Sequence, residues 1–81
     1  MPYFQFFWTV AIIQHLADHG VSQDDFEYVV CNPIKQGSSE SSGSPAAWGY
    51  ALDGRYIIAI YETIDEVTVL PVTAYEVSEP R

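Results

Sequence analysis

Basic residues are scarce in this sequence. Three Lys and Arg side chains stand against eleven Asp and Glu, which gives a formal net charge of −8 at pH 7. Proteins bind a phosphate backbone mainly through cations, and an acidic surface repels it unless the few cations are gathered at one place. The composition therefore argues against a general nucleic-acid binder.

Cysteine is represented by Cys31 alone. One cysteine excludes an internal disulfide, and without a second cysteine nothing supports a zinc cluster. The apolar residues 1–8 have no charged leader, no long uninterrupted apolar run and no small-residue cleavage site, so we interpret them as a strand rather than a signal peptide or membrane span. These features predict a cytoplasmic protein that binds no membrane.

Aromatic residues are plentiful, and many of them lie around one turn signal, Asp53-Gly54. The pair separates two apolar runs, and a two-residue hairpin turn needs the positive φ that Gly adopts freely and Asp tolerates. Such a turn places Trp48 opposite Ala59. The sequence therefore predicts a hairpin in which large side chains face small ones across the strands.

Two short helices are predicted before the hairpin. The first begins after Thr9, whose side chain can cap it, places Val10, Ile13 and Ala17 on one apolar stripe, and ends at Gly20. The second begins after Ser22, another capping residue, and stops before Pro33. Together they form an αα-hairpin.

The rest of the chain completes a single small domain over residues 1–81. Residues 37–45 are rich in Ser and Gly and predict a flexible loop, residues 67–72 predict a last strand, and residues 76–81 predict a frayed tail. The order is β-α-α-β-β-β, which predicts an α+β fold with two N-terminal helices packed on one antiparallel sheet.

A series of short motifs runs through nearly the whole chain in a set order. The motifs are Trp8, His19-Gly20-Val21-Ser22, Asn32-Pro33, Trp48-Gly49, Gly54-Arg55, Tyr61-Glu62 and Pro71-Val72-Thr73-Ala74. In this order they resemble the BrnT-like toxins of bacterial toxin–antitoxin systems, which are relatives of the RelE-type ribonuclease fold. The resemblance implies two helices on an antiparallel sheet, metal-independent RNA cleavage, and neutralisation by a cognate antitoxin protein.

The resemblance also directs attention to a set of candidate site residues. The catalytic candidates are Arg55, His19 and Tyr75, and the substrate-binding candidates are Lys35, Tyr61 and Ser44. Each has a structural alternative. Arg55 can form an ion pair with Asp53 or another nearby acid, His19 can cap the first helix, and the tyrosines can pack in the core or at its rim.

The sequence departs from the family pattern in the loop before the hairpin. Where relatives carry arginines, this chain has Ser39, Glu40 and Ser44, and Tyr75 stands where some relatives carry another Arg. Metal-free RNA cleavage needs a base and cations aimed at the charge that develops on the phosphate. The missing cations predict a weak or inactive ribonuclease.

His15 and His19 are spaced i, i+4, which puts two imidazoles on one side of a helix within reach of a metal. No Glu follows His15, and no third ligand is indicated. We therefore expect neither a metal nor another cofactor.

Two further functions stay open. A non-catalytic module of the same fold would use its aromatic-rich sheet to bind a protein. An acidic mimic of nucleic acid would occupy a basic site on another protein, but here the acids are dispersed along the chain rather than gathered in one run. The expected partner is the cognate antitoxin, with RNA as a further candidate, and the oligomeric state stays open.

Overall fold

The computed structural model describes residues 5–39 and 43–79. The first residues of the predicted N-terminal strand, Glu40 in the predicted loop and the end of the predicted tail lie outside these ranges. The helices and strands are β1 Gln5–Phe6, α1 Val10–Asp18, α2 Gln23–Cys31, β2 Lys35–Ser38, β3 Pro45–Tyr50, β4 Tyr56–Thr63 and β5 Thr68–Glu76.

The five strands form one sheet in the order β1-β5-β4-β3-β2. Neighbouring strands are antiparallel, except that β1 runs parallel to β5. The predicted α+β class, with two helices packed on one sheet, is confirmed. The sheet is mixed rather than purely antiparallel, and β2 adds a strand to the predicted order. Residues 37 and 38 belong to β2 and residue 45 belongs to β3, so both ends of the segment 37–45 that was predicted as a loop lie in strands.

Both helices begin at the predicted caps. Thr9 Oγ1 accepts the N–H of Ile12 at 3.2 Å, and Ser22 Oγ accepts the N–H of Asp25 at 3.1 Å. Each bond satisfies a backbone donor that the first helical turn leaves unpaired. After α1, Gly20 takes a φ of +76° and reverses the chain toward α2, as a glycine in this position does in many helix ends.

The main core lies between the helices and one face of the sheet. Leu16 of α1 and Phe26 of α2 are buried there against Ile57 and Ala59 of β4. Packing of α1 is mainly against β5, whereas α2 packs on β3 and β4. The prediction for Val10 is wrong: this side chain is 83% exposed, because α1 meets the core through Leu16 on another side of the helix.

The hairpin turn has three residues, 52–54, rather than two, and only Gly54 takes positive φ, at +92°. A three-residue loop with Gly in the left-handed position suits the right-handed twist of the strands. The strands therefore pair one residue away from the predicted register, and Trp48 lies opposite Ile58 instead of Ala59. This shift puts Trp48 on the same sheet face as Ile58.

The second face of the sheet carries its own small apolar cluster, which contains no helix residue. Ala46, Ile58 and Ile60 are buried there, with Trp48 and Val77 packed against them. We call this side the open face. Neither helix described above is long and apolar enough to cross a membrane.

Candidate functional site

Arg55, at the end of the hairpin turn, is held by several groups at once. Its Nε donates to Asp53 Oδ2 at 2.7 Å, and one terminal nitrogen donates to the carbonyl oxygen of Gly20. The same nitrogen lies 3.7 Å from Asp25 Oδ2, whose other oxygen accepts the N–H of Leu52 at 3.1 Å. We call this set the arginine clamp, because it joins the α1–α2 turn to the hairpin.

The contacts within the arginine clamp favour the charged form of the Asp53 carboxyl group. The backbone N–H of Arg55 donates to Asp53, and the guanidinium adds a hydrogen bond and a positive charge, so the pKa of Asp53 is held below its ordinary 3.8. The structure shows the ion pair with Asp53 that is one of the two roles the sequence leaves open for Arg55. Its guanidinium is already occupied by acids and a carbonyl group.

His19 and Tyr75 lie together where α1 meets β5. The centroid of the His19 ring is 6.2 Å from that of Tyr75 and 5.0 Å from that of His15. His15 Nε2 in turn lies 2.9 Å from Thr73 Oγ1. Both histidines and Tyr75 are exposed, so two imidazoles and a phenol are accessible at one place.

A cavity of about 510 Å³ lies on the open face, and we call it the sheet cavity. The strand register places Lys35, Trp48, Ile58 and Tyr75 in one row from β2 to β5 along its floor. Lys35 Nζ lies 4.9 Å from the centroid of the Trp48 ring, a cation–π contact. At Gly37 an added Cβ would lie 3.2 Å from that ring, so the glycine gives the indole room to lie over β2. The other lining residues are Ser38 and Ser39.

Two candidate residues lie away from these groups. Tyr61 is 4% exposed and belongs to the core under the helices, on the side of the sheet opposite the cavity. Ser44 Oγ donates to Glu62 Oε1 at 2.6 Å, next to the start of β3. The structure therefore brings His19 close to Tyr75 and places Tyr75 with Lys35 at the sheet cavity. Tyr61 belongs to neither group.

Sequence reasoning missed several residues that shape these sites. Trp48 and Ile58 share a face only in the observed register, which the expected two-residue turn placed one position away. Asp25 lies far from Arg55 in the sequence, and no local signal connects the two. His15 did carry a signal, since its i, i+4 spacing predicted the proximity to His19 that is observed.

Charge and metal-binding potential are limited in residues 5–39 and 43–79. No group of three or more His, Cys, Asp or Glu side chains in these ranges could hold a metal ion. Their only cations are Arg55, which is engaged in the arginine clamp, and Lys35 at the sheet cavity. Away from both sites, burial and the charge of Glu27 raise the pKa of the Cys31 thiol above its ordinary 9.0.

Fold and site together define an α+β protein with an aromatic sheet cavity, Lys35 beside it, and a pair of histidines next to Tyr75. Comparisons with protein-family models, with curated protein sequences and with solved structures return no match to this chain. Its function is therefore inferred from the geometry of its own residues and from the order of its motifs.

Proposed function

We propose that this protein is a toxin-type member of a bacterial toxin–antitoxin pair with a BrnT-like fold, in which ribonuclease activity is weak or lost and binding of the cognate antitoxin is retained. The observation that carries the proposal is the arginine clamp. Arg55 is the residue that the motif order favours as a phosphate ligand, and here Asp53, Asp25 and the Gly20 carbonyl occupy it. An arginine so engaged stabilises the fold instead of the charge that develops on a phosphate.

The charge of the whole chain supports the same conclusion. At a net charge of −8 the surface repels RNA, and among the described residues that line the sheet cavity only Lys35 carries a positive charge. Aromatic side chains are enriched in protein interfaces, and the half-buried Trp48 and the exposed Tyr75 supply them here. The lone cysteine agrees with a reducing, cytoplasmic setting, where an antitoxin would meet this protein.

Restoring the missing cations tests the ribonuclease part of the proposal. We expect expression of the wild-type protein in a bacterial host to leave growth unaffected and to cleave a labelled RNA slowly or not at all. The double variant Glu40→Arg/Ser44→Arg should arrest growth and cleave the RNA, because it returns positive charge to the loop before the hairpin. The matched control, Glu40→Gln/Ser44→Gln, removes the same side chains without adding a positive charge.

Two outcomes of this experiment count against the proposal. Rapid RNA cleavage by the wild-type protein would show that catalysis does not need the cations missing from the loop before the hairpin. Equal behaviour of the arginine and glutamine variants would remove the toxin resemblance as an explanation for this site.

A co-expression experiment tests the binding part. The product of the open reading frame next to this gene should co-purify with the wild-type protein through size-exclusion chromatography as one complex. A protein that elutes alone, with the neighbouring product well expressed, would contradict antitoxin binding.

One observation favours a second candidate, residual RNA cleavage by proton transfer. His19 and Tyr75 lie close together and exposed, as a general base and a general acid acting on one substrate must. Any cleavage by the wild-type protein should then disappear in His19→Ala and in Tyr75→Phe without a change in the unfolding temperature. Cleavage that both variants retain would come from another site or from a contaminant.

A further inference from the structure

In the part of the chain that the structure describes, no strand pairs with the outer edge of β2. This strand is the last in the sheet, and all of its residues are exposed. The N–H of Ser39 donates to the carbonyl of Ser44, 2.7 Å away on the side of β3. Backbone groups alternate in direction along an antiparallel strand, so those of Gly37 also face β3. The N–H and C=O groups of Gln36 and Ser38 therefore point away from the sheet.

The protection of this edge is partial. Proteins commonly block an exposed edge by keeping it very short, with charged residues, especially Lys, with proline, or with a covering helix or loop. The strand Lys35–Ser38 is short and carries Lys35, but it contains no proline and no second charge. An unblocked edge can accept an extended peptide through main-chain hydrogen bonds, and nearby pockets for its side chains then give specificity.

The sheet cavity lies directly beside this edge. Lys35, Gly37 and Ser38 of β2 line it together with Trp48 of β3. Its volume of about 510 Å³ lies within the range typical of ligand pockets, roughly 300–1,000 Å³. Side chains of an added strand alternate between the two faces of a sheet. Every second side chain of a segment bound to β2 would therefore project over the cavity.

Charge complementarity identifies the occupant. Within residues 5–39 and 43–79, Lys35 is the only cation outside an ion pair, and it stands at the side of the cavity formed by β2. A carboxylate on the bound segment is its natural complement. A second copy of this chain is disfavoured, because its net charge of −8 would repel an identical molecule.

We infer that an extended segment of a different protein pairs with the outer edge of β2, places a large apolar side chain in the sheet cavity, and sets a carboxylate against Lys35. The inference rests on the proposed function in one respect: the segment belongs to the protein partner, the antitoxin. It adds the surface that the partner uses and the side chains that this surface selects.

A selection with peptides tests the surface without knowledge of the partner. A phage-displayed library of short random peptides is panned on the immobilised full-length protein. Enriched sequences should combine Asp or Glu with Trp, Phe or Leu at alternate positions, since side chains on one face of a strand are two residues apart. A synthetic peptide of the enriched sequence then serves as the probe for affinity measurements.

Two variants separate the backbone and side-chain contributions. Gln36→Pro removes an outward N–H and leaves the hydrogen bonds to β3 intact, so peptide binding should weaken about tenfold. Gln36→Ala is the matched control and should bind as the wild-type protein does. Lys35→Glu should also weaken binding about tenfold and select peptides without acidic residues. This second variant keeps the test decisive if Gln36→Pro fails to fold.

Several outcomes would overturn the inference. These are a library that yields no shared pattern, an enriched peptide that binds Gln36→Pro and Lys35→Glu as tightly as wild type, and dimerisation of the wild-type protein through β2.

Co-purification with the antitoxin distinguishes failure of this inference from failure of the proposed function. If both variants retain that complex, the antitoxin binds elsewhere and only the inference fails. If peptides bind as expected but no antitoxin does, only the proposed function fails.

Discussion

Asp53 illustrates how one turn residue uses both oxygens of its carboxylate. Oδ1 accepts the backbone N–H of Arg55 at 3.1 Å, and Oδ2 accepts Nε of the same residue at 2.7 Å. Asp65 forms the same kind of backbone hydrogen bond in the β4–β5 turn, where its Oδ1 accepts the N–H of Val67 at 2.9 Å. These backbone hydrogen bonds hold the pKa of both carboxyl groups below the ordinary 3.8. Such residues stabilise their turns most strongly while they are ionised.

This pKa shift predicts a pH-dependent effect of Asp53→Asn. A carboxyl group whose pKa is lowered by folding stabilises the native state above its ordinary pKa, and this contribution is lost as the pH falls through the folded value. Asp53→Asn should therefore lower the free energy of unfolding at pH 7, and its difference from wild type should shrink in acid. Urea unfolding of the variant and of the wild-type protein, at pH 7 and at an acidic pH, measures this difference in the free energy of unfolding. Glu66→Gln, an equal change of charge at an exposed position, is the control. An equal penalty for Asp53→Asn at both pH values would contradict the explanation.

At the scale of elements, the turn between α1 and α2 depends on one glycine. Gly20 has a φ of +76°, and the N–H of Val21 donates to the carbonyl of Leu16 at 2.9 Å, which closes the end of α1. A Cβ at Gly20 would also lie 3.1 Å from a terminal nitrogen of Arg55. The conformation of the turn and the position of the arginine clamp are therefore linked.

Gly20→Ala should destabilise the protein by more than backbone strain alone. A non-glycine residue in the left-handed region costs about 1–2 kcal/mol, and here the methyl group also displaces Arg55. Gly43→Ala is a matched control, because φ is +72° there and no residue within 5–39 and 43–79 lies within 4 Å of an added Cβ. Thermal unfolding should show a larger loss for Gly20→Ala than for Gly43→Ala. That excess should vanish when both are made in an Arg55→Ala background, and an excess that persists would have another cause.

At the scale of the whole molecule, the arginine clamp connects parts that the chain keeps far apart. Arg55 bonds to Gly20, 35 positions earlier, and the carboxylate of Asp25 reaches Leu52, 27 positions later. The clamp therefore fixes the helix pair relative to the hairpin. Asp25 is mostly buried, so removing the arginine would leave its negative charge without the positive charge that faces it.

Arg55→Ala should lower the free energy of unfolding by about 1–3 kcal/mol, the usual loss when a charged hydrogen-bond partner is removed. A double-mutant cycle with Asp25→Asn should give a coupling of about 0.5–3 kcal/mol, because the two side chains share one network. Lys35→Ala, which removes a cation from the sheet cavity, is the control and should change stability little. Independent, additive losses would show that Arg55 and Asp25 do not act together.

Prediction from sequence succeeded where the signal and the structure lie within a few residues. The caps at Thr9 and Ser22 and the helix end at Gly20 depend on bonds within one helical turn, and these were predicted correctly. The prediction that Val10 faces the core was wrong, because apolar residues occur on more than one side of α1 and packing against the sheet determines which side is buried. The strand register predicted from Asp53-Gly54 was wrong by one residue, because the same dipeptide suits both a two-residue and a three-residue turn.

Local chemistry in the sequence determined the α+β class, the helix boundaries and the existence of a hairpin, because each follows from bonds between near neighbours. Only the tertiary structure decided the register that aligns Lys35, Trp48, Ile58 and Tyr75, the parallel pairing of β1 with β5, and the open edge of β2. It also decided that Arg55 belongs to a clamp. These features depend on groups distant in sequence, whose meeting is set by the packing of the whole chain and leaves no local pattern.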